Sequence, residues 1–276
     1  MARRSVLALA VVVVATCTRA ATGVTTLSIQ SIDLGADRYR IVAPARVHGG
    51  VVRIRFTNRG KIPHDAQLVR VDGAHSVADV ADTVHTDGAP TPEWLHAEGG
   101  VGTLGAGQSG VATVVLPVGS YVILDTGVDE DDIPFAKAGA ARPLQVVDSG
   151  DALPPADTVV TESEYSFSIG KLRPGSETIR VQNVGRQPHQ FLAAPIVAGR
   201  SLDDVRQAFS SSSGSQGPSP VDLAKAVSVS RLDPGRALVT TLRLERGTYA
   251  FVCLLSDREG GARHVSLGMI AEANVA

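Results

Sequence analysis

His189, Cys253, His264 and Met269 place two imidazoles, one thiol and one thioether in the C-terminal part of a 276-residue chain. Cys253 closes the run Gly247-Thr248-Tyr249-Ala250-Phe251-Val252-Cys253, and His264 opens His264-Val265-Ser266-Leu267-Gly268-Met269. His189 ends an earlier turn, Asn183-Val184-Gly185-Arg186-Gln187-Pro188-His189. Soft sulfur combined with imidazole favours copper, and a trigonal His2Cys set with a weak axial thioether suits electron transfer between Cu(I) and Cu(II). The same donors also suit Cu(I) trafficking, because thiolate and thioether favour the reduced ion. Nucleophilic use of Cys253 fits less well, since it ends an apolar run with no Asn or Asp motif to join His264 in activating it.

Donors so far apart in sequence meet only if rigid elements carry them, and the chain supplies such elements twice. At a constant offset of 125, Ile54, Arg55, Asn58, Gly60, Pro63, His64, Ser76, Asp79 and Val80 match Ile179, Arg180, Asn183, Gly185, Pro188, His189, Ser201, Asp204 and Val205. At an offset of 128, Leu104, Gly107, Val111, Thr113, Leu116, Gly119 and Tyr121 match Leu232, Gly235, Val239, Thr241, Leu244, Gly247 and Tyr249. Repetition with order and spacing preserved marks one structural unit written twice. Alternating runs such as Val51 to Phe56 and Ala237 to Leu244 read as strands with one face inward. Ser76 with Asp79, and Ser201 with Asp204, read as capping boxes opening one short helix per unit. The stretch 149–157, with Gly150 and Pro154-Pro155, reads as a linker between a first domain, 24–148, and a second, 158–276. Ser210 to Pro218 reads as a surface loop unable to bury apolar area.

The Gly-Thr-Tyr-x-Phe-x-Cys approach, the His-x-x-x-Gly-Met ending and the Asn-x-Gly-x-x-Pro-His turn resemble the ligand segments of the cupredoxins, the blue copper family. The resemblance implies an all-β fold of two tandem cupredoxin-like Greek-key β-sandwiches, each with one or two short helical insertions. It implies one copper per chain, in domain 2, with His189, Cys253 and His264 equatorial and Met269 axial. Gln190 stands where the family often has a bracing Asn, and the edge of the His264 ring would face a partner. The loop from Cys253 to His264, with ten intervening residues, is longer than in small members of the family. In domain 1 the alignment sets Asp125, Phe135 and Ala140 against Cys253, His264 and Met269, so His64 alone survives and no metal is expected there.

An oxidase or nitrite reductase would wire a second copper centre through histidines beside the cysteine, but here Val252 and Leu254 flank Cys253 and no His-x-His pair occurs. The expectation is an electron carrier or binding protein rather than an enzyme, with a redox partner protein or a copper donor as partner. The rival is a metal-free cell-envelope binding module, which the incomplete first repeat favours. A net charge of -2 gives no attractive field for nucleic acid. Residues 1–23 read as a secretory signal, with a basic start and an apolar core too short to span a membrane. Export to the periplasm, cell envelope or exterior is expected, with a lipid anchor at Cys17 as a variant and no transmembrane segment after signal removal. Losing Cys17 with that leader leaves Cys253 as the single cysteine, so no intrachain disulfide forms. Asp129 to Asp132 reads as a solvated acidic loop, Trp94 as a packing anchor, and His48, His75, His85 and His96 as surface residues.

Overall fold

Inward-facing apolar residues at every second position need a second layer to bury them, and the strands of this chain form two large sheets that supply it. The structure is a computed structural model and describes residues 24–35, 37–83, 89–148, 153–210 and 217–276. The expected leader with Cys17, most of the serine-rich stretch, part of the linker and His85 lie outside the described residues. The expected all-β architecture is observed, with two short α-helices, Val77–Thr83 and Leu202–Ser210, and a 3-10 turn at Leu223–Lys225.

The first sheet has eight strands in the order Ser166–Ile169, Thr158–Ser163, Gly175–Asn183, Ala237–Leu244, Ser109–Leu116, Gly50–Asn58, Thr25–Gly35 and Arg38–Val42. The second has nine, ordered Ile270–Val275, Gly247–Val252, His189–Pro195, Val227–Leu232, Leu95–Leu104, His64–Val71, Gly119–Leu124, Ala141–Val147 and Arg46–His48. Both sheets therefore pass through both repeats. Antiparallel pairing of Leu238 with Val114 and of Thr240 with Ala112 joins the repeats in the first sheet, and Leu232 opposite Glu98 joins them in the second. Along Gly50–Asn58 the alternation is plain: Val52, Ile54 and Phe56 are buried while Arg53 and Arg55 are exposed. A single core cluster runs from Leu27 and Phe56 to Phe191 and Phe251.

Each helix starts at the expected capping box. The Ser76 amide donates to Asp79 Oδ2 at 2.7 Å while the Asp79 amide donates to Ser76 Oγ at 3.1 Å, and Ser201 and Asp204 repeat the exchange at 2.7 and 3.2 Å. This reciprocal bonding satisfies amides that a helix start leaves without partners. The helices cover the outer face of the second sheet, Val80 against Val69 and Val122, and Val205 among Ala194, Ala250 and Val252.

Candidate metal centre

Asn183 builds the turn that delivers His189. Its Nδ2 donates to the carbonyls of Gln187 and Leu232 at 2.7 and 2.9 Å, and its Oδ1 accepts from the Gly185 amide at 2.9 Å. Asn58 makes the same three contacts in the first repeat, to Ile62, Leu104 and Gly60, at 2.7, 2.9 and 2.8 Å. Glycine follows at Gly60 and Gly185 because the histidine and a carboxylate crowd that spot. A Cβ on Gly185 would come within 2.6 Å of Glu164 Oε1 and 3.1 Å of His189 Nε2. The shared turn thus belongs to backbone construction, and the histidine at its end is free to serve different chemistry in the two halves.

In the second repeat three donors converge. His189 Nδ1 lies 3.1 Å from His264 Nδ1, Cys253 Sγ lies 3.5 Å from His264 Nδ1, and one ligand atom from each residue falls within 4.8 Å of the others. All three side chains are buried. The backbone fixes the spacing: the Cys253 amide donates to the Met269 carbonyl, the Val265 amide to the Cys253 carbonyl, and the Met269 amide to the His264 carbonyl, at 3.2, 2.9 and 2.8 Å. Met269, whose backbone makes two of these bonds, is itself buried.

The protonation pattern fits a cation at this point. His264 Nε2 lies 3.1 Å from Asp257 Oδ1, which assigns the proton to Nε2 and leaves a lone pair on Nδ1 facing His189. His189 Nε2 is buried with no hydrogen-bond partner. Burial, with the charge of His264 adding to it, pushes the His189 imidazole down to about 4. His264 is also lowered, burial outweighing the pull of Asp257. Neutral imidazoles are the ligating form. Burial pushes the Cys253 thiol up to about 12 despite the amides of Gln190 and Leu255 on its sulfur, so without a cation the site holds a thiol. Two imidazole nitrogens and a sulfur turned toward one point, in a place water does not reach, match a soft-metal donor set.

The first repeat answers the same geometry with carboxylates. His64 Nδ1 pairs with Asp125 Oδ2 at 2.5 Å and Nε2 with Asp33 Oδ1 at 2.7 Å, while Tyr39 and Phe135 pack on the ring. Burial alone would lower His64, but the hydrogen bond and charge of Asp125, then those of Asp33, raise it overall. The backbone frame is the same: the Asp125 amide donates to the Ala140 carbonyl at 3.0 Å and the Ala140 amide to the Phe135 carbonyl at 2.8 Å. Asp125, Phe135 and Ala140 thus occupy the places of Cys253, Met269's neighbour His264, and Met269. With both ring nitrogens bound to carboxylates, His64 has no lone pair to offer.

One expectation is corrected. The edge of His264 does not face solvent: the residue is fully buried, capped by Asp257, whose carboxylate also accepts from Tyr165 Oη at 2.9 Å. The long loop causes this, because Ser256–Asp257 and Gly260–Arg263 fold into a small hairpin over the ring. Four residues that shape the site carry no motif: Asp257, Tyr165, Arg258 and Glu162. Glu162 is buried with both carboxylate oxygens unpartnered, and burial pushes its carboxyl up to about 8. Its sequence signal is parity, since it shares the inward face of Thr158–Ser163 with Val160. Elsewhere Asp129 Oδ1 accepts from the amides of Asp131 and Ile133 within its own loop, Trp94 stacks on His75 at 3.9 Å, and His48 is exposed beside Asp148. His96 is half-buried, with Nε2 2.9 Å from Asp72.

No protein-family model and no curated protein matches the sequence. Among solved structures the chain is similar to a multicopper oxidase, at 16% identity over 91% of this chain and 88% of that one, with a TM-score of 0.24. It is also similar to a copper nitrite reductase from Nitrosomonas europaea, at 14% identity over 91% and 94%, TM-score 0.26. The dithionite-reduced auracyanin of the photosynthetic bacterium Roseiflexus castenholzii matches at 21% identity over 44% of this chain and 99% of that one, TM-score 0.29. An oxidase, a nitrite reductase and a shorter auracyanin chain thus stand side by side among the neighbours. Among the described residues no helix is long and apolar enough to cross a membrane.

Proposed function

We propose that this chain is an exported, tandem cupredoxin-like protein that holds one copper ion in its second repeat and carries single electrons to or from a redox partner protein. The observation behind this reading is the buried convergence of His189 Nδ1, His264 Nδ1 and Cys253 Sγ, with Met269 tied by its backbone to both His264 and Cys253. Copper would supply a one-electron couple between Cu(I) and Cu(II). The chain's own part is to hold two neutral imidazoles and one sulfur in place. The strand end at Cys253, the turn fixed by Asn183 and the Asp257 contact on His264 resist rearrangement between oxidation states, and such preorganisation favours electron transfer over release of the metal.

The non-catalytic role is supported by Val252 and Leu254 on either side of Cys253 and by the lack of any His-x-His pair, where multicopper enzymes place the histidines that lead to a second copper. The first repeat is read as a degenerate copy, with Asp33 and Asp125 neutralising the histidine that a metal would otherwise use. Residues 1–23 support export. The test is to load the purified chain with Cu(II) and measure metal content, visible absorption and voltammetry. One copper per chain, an intense sulfur-to-copper band and a reversible one-electron wave are expected. Sustained oxygen or nitrite consumption above a free-copper control would reject the carrier role, and copper handed quickly to a chelator on reduction would favour trafficking instead.

A further inference from the structure

The ten residues between Cys253 and His264 do not hang free; they reach across the seam and grip the first repeat. Arg258 Nη1 donates to the carbonyls of Pro92 and Leu95 at 2.9 and 3.0 Å, and Nη2 bonds Asp233. The backbone of the same residue is held as well. Its carbonyl accepts from the Thr91 amide at 2.6 Å, and its amide donates to Gln187 Oε1 at 2.9 Å. Gln187 lies two residues before His189, and Asp257, the residue before Arg258, is the group that meets His264 Nε2. One residue therefore ties the turn of the first histidine, the cap on the second and a segment of the other repeat.

We propose that Arg258 is a positioning residue for the metal centre, and that the first repeat serves as the brace against which it holds the His264 loop. This rests on the copper reading of the site. Guanidinium suits the task because its planar fork serves several acceptors at once with little further loss of freedom, which a lysine ammonium on a flexible stem does not reproduce. Asp233 is buried and also faces Arg231 Nε at 3.8 Å and His96 Nδ1 at 3.7 Å, so Arg258 completes a charge cluster on the seam. The clamp gives the first repeat a function that needs no metal. It also explains how a long ligand loop can keep a fixed geometry, since a loop without such ties would open locally at little cost.

The full-length chain with Arg258→Ala and with Arg258→Lys is compared with the parent in two experiments. In copper-free protein, hydrogen exchange is followed at the His264 and Val265 amides, which bond Leu255 and Cys253, with Leu68 and Val122 as controls in the first repeat. In Cu(II)-loaded protein, the sulfur-to-copper band and the rate of copper loss to a chelator are followed. Arg258→Ala is expected to speed exchange at His264 and Val265 and copper loss by about tenfold or more, to shift the band, and to leave the controls unchanged. Arg258→Lys should fall between, because it keeps the charge facing Asp233 but not the fork. Exchange and copper loss within about twofold of the parent in Arg258→Ala would overturn the proposal. Where that variant fails to fold, unchanged loop exchange in Arg258→Lys overturns it equally. A parent chain that binds no copper rejects the copper reading alone, and the exchange arm still judges the clamp.

Discussion

Glu162 shows at the scale of a single residue how much a site can hide from its sequence. In Thr158-Val159-Val160-Thr161-Glu162 only the parity with Val160 hints at a buried acid, yet both oxygens lack partners and the carboxyl is pushed up to about 8. A carboxyl held protonated when folded but ionised when unfolded favours folding fully below its ordinary value of 4.5, and that advantage is lost as pH rises toward 8. Glu162→Gln keeps the shape and removes the titration. Chemical denaturation should find the variant equal to the parent near pH 4 and more stable at pH 8, by up to about 4 kcal/mol. An equal pH dependence in both proteins would show that Glu162 is ionised in the fold. Met269 is the contrasting case, since His-x-x-x-Gly-Met announces it. Removing the thioether in Met269→Leu should raise the reduction potential while copper and colour remain, because a thioether stabilises Cu(II) more than a leucine does. Voltammetry on the loaded protein checks the direction.

At the scale of elements the turn Asn-x-Gly-x-x-Pro-His separates construction from chemistry. Asn58 and Asn183 each bond three backbone groups, so replacing either by alanine takes a donor from two buried or half-buried carbonyls and an acceptor from one amide. Each loss should cost about 2 to 4 kcal/mol in denaturation experiments. Only Asn183→Ala should also weaken copper retention, because only its turn ends at His189. The strands and the two capped helices were legible because apolar alternation and capping boxes are local patterns, and the convergence of His189, Cys253 and His264 was legible only through the resemblance that their motifs carry. The burial of His264 was not, since the resemblance to shorter-looped proteins carried an exposed ring with it. The ten-residue loop that covers the ring was visible, but its path was set by Arg258 meeting carbonyls at Pro92 and Leu95, and backbone acceptors leave no trace in a sequence.

For the whole molecule, the two repeats share both sheets, with Ala237–Leu244 against Ser109–Leu116 in one and Val227–Leu232 against Leu95–Leu104 in the other. The repeat offsets show two related units but carry no information on which strand edges meet. Charges reinforce the seam: Glu98, buried, accepts from Arg70 Nε at 3.2 Å and has Arg236 Nε 2.8 Å from its other oxygen as a charge contact. Arg70 lies in the first repeat and Arg236 in the second. Glu98→Ala removes the acceptor shared by Arg70, which keeps Asp72, and Arg236, both partly exposed, and should cost about 1 to 3 kcal/mol. Calorimetry should show one cooperative transition in the parent, moved to lower temperature in the variant. Two separate transitions in the parent would mean that the shared sheets do not couple the repeats.

The most direct measurement is copper content with the visible spectrum of the Cu(II)-loaded chain, compared between the parent, Cys253→Ser and His64→Ala. One copper per chain and an intense sulfur-to-copper band are expected in the parent and in His64→Ala, with the band absent in Cys253→Ser. A parent that never develops the band, or a second copper that disappears with His64→Ala, would contradict a single metal centre built from His189, Cys253, His264 and Met269.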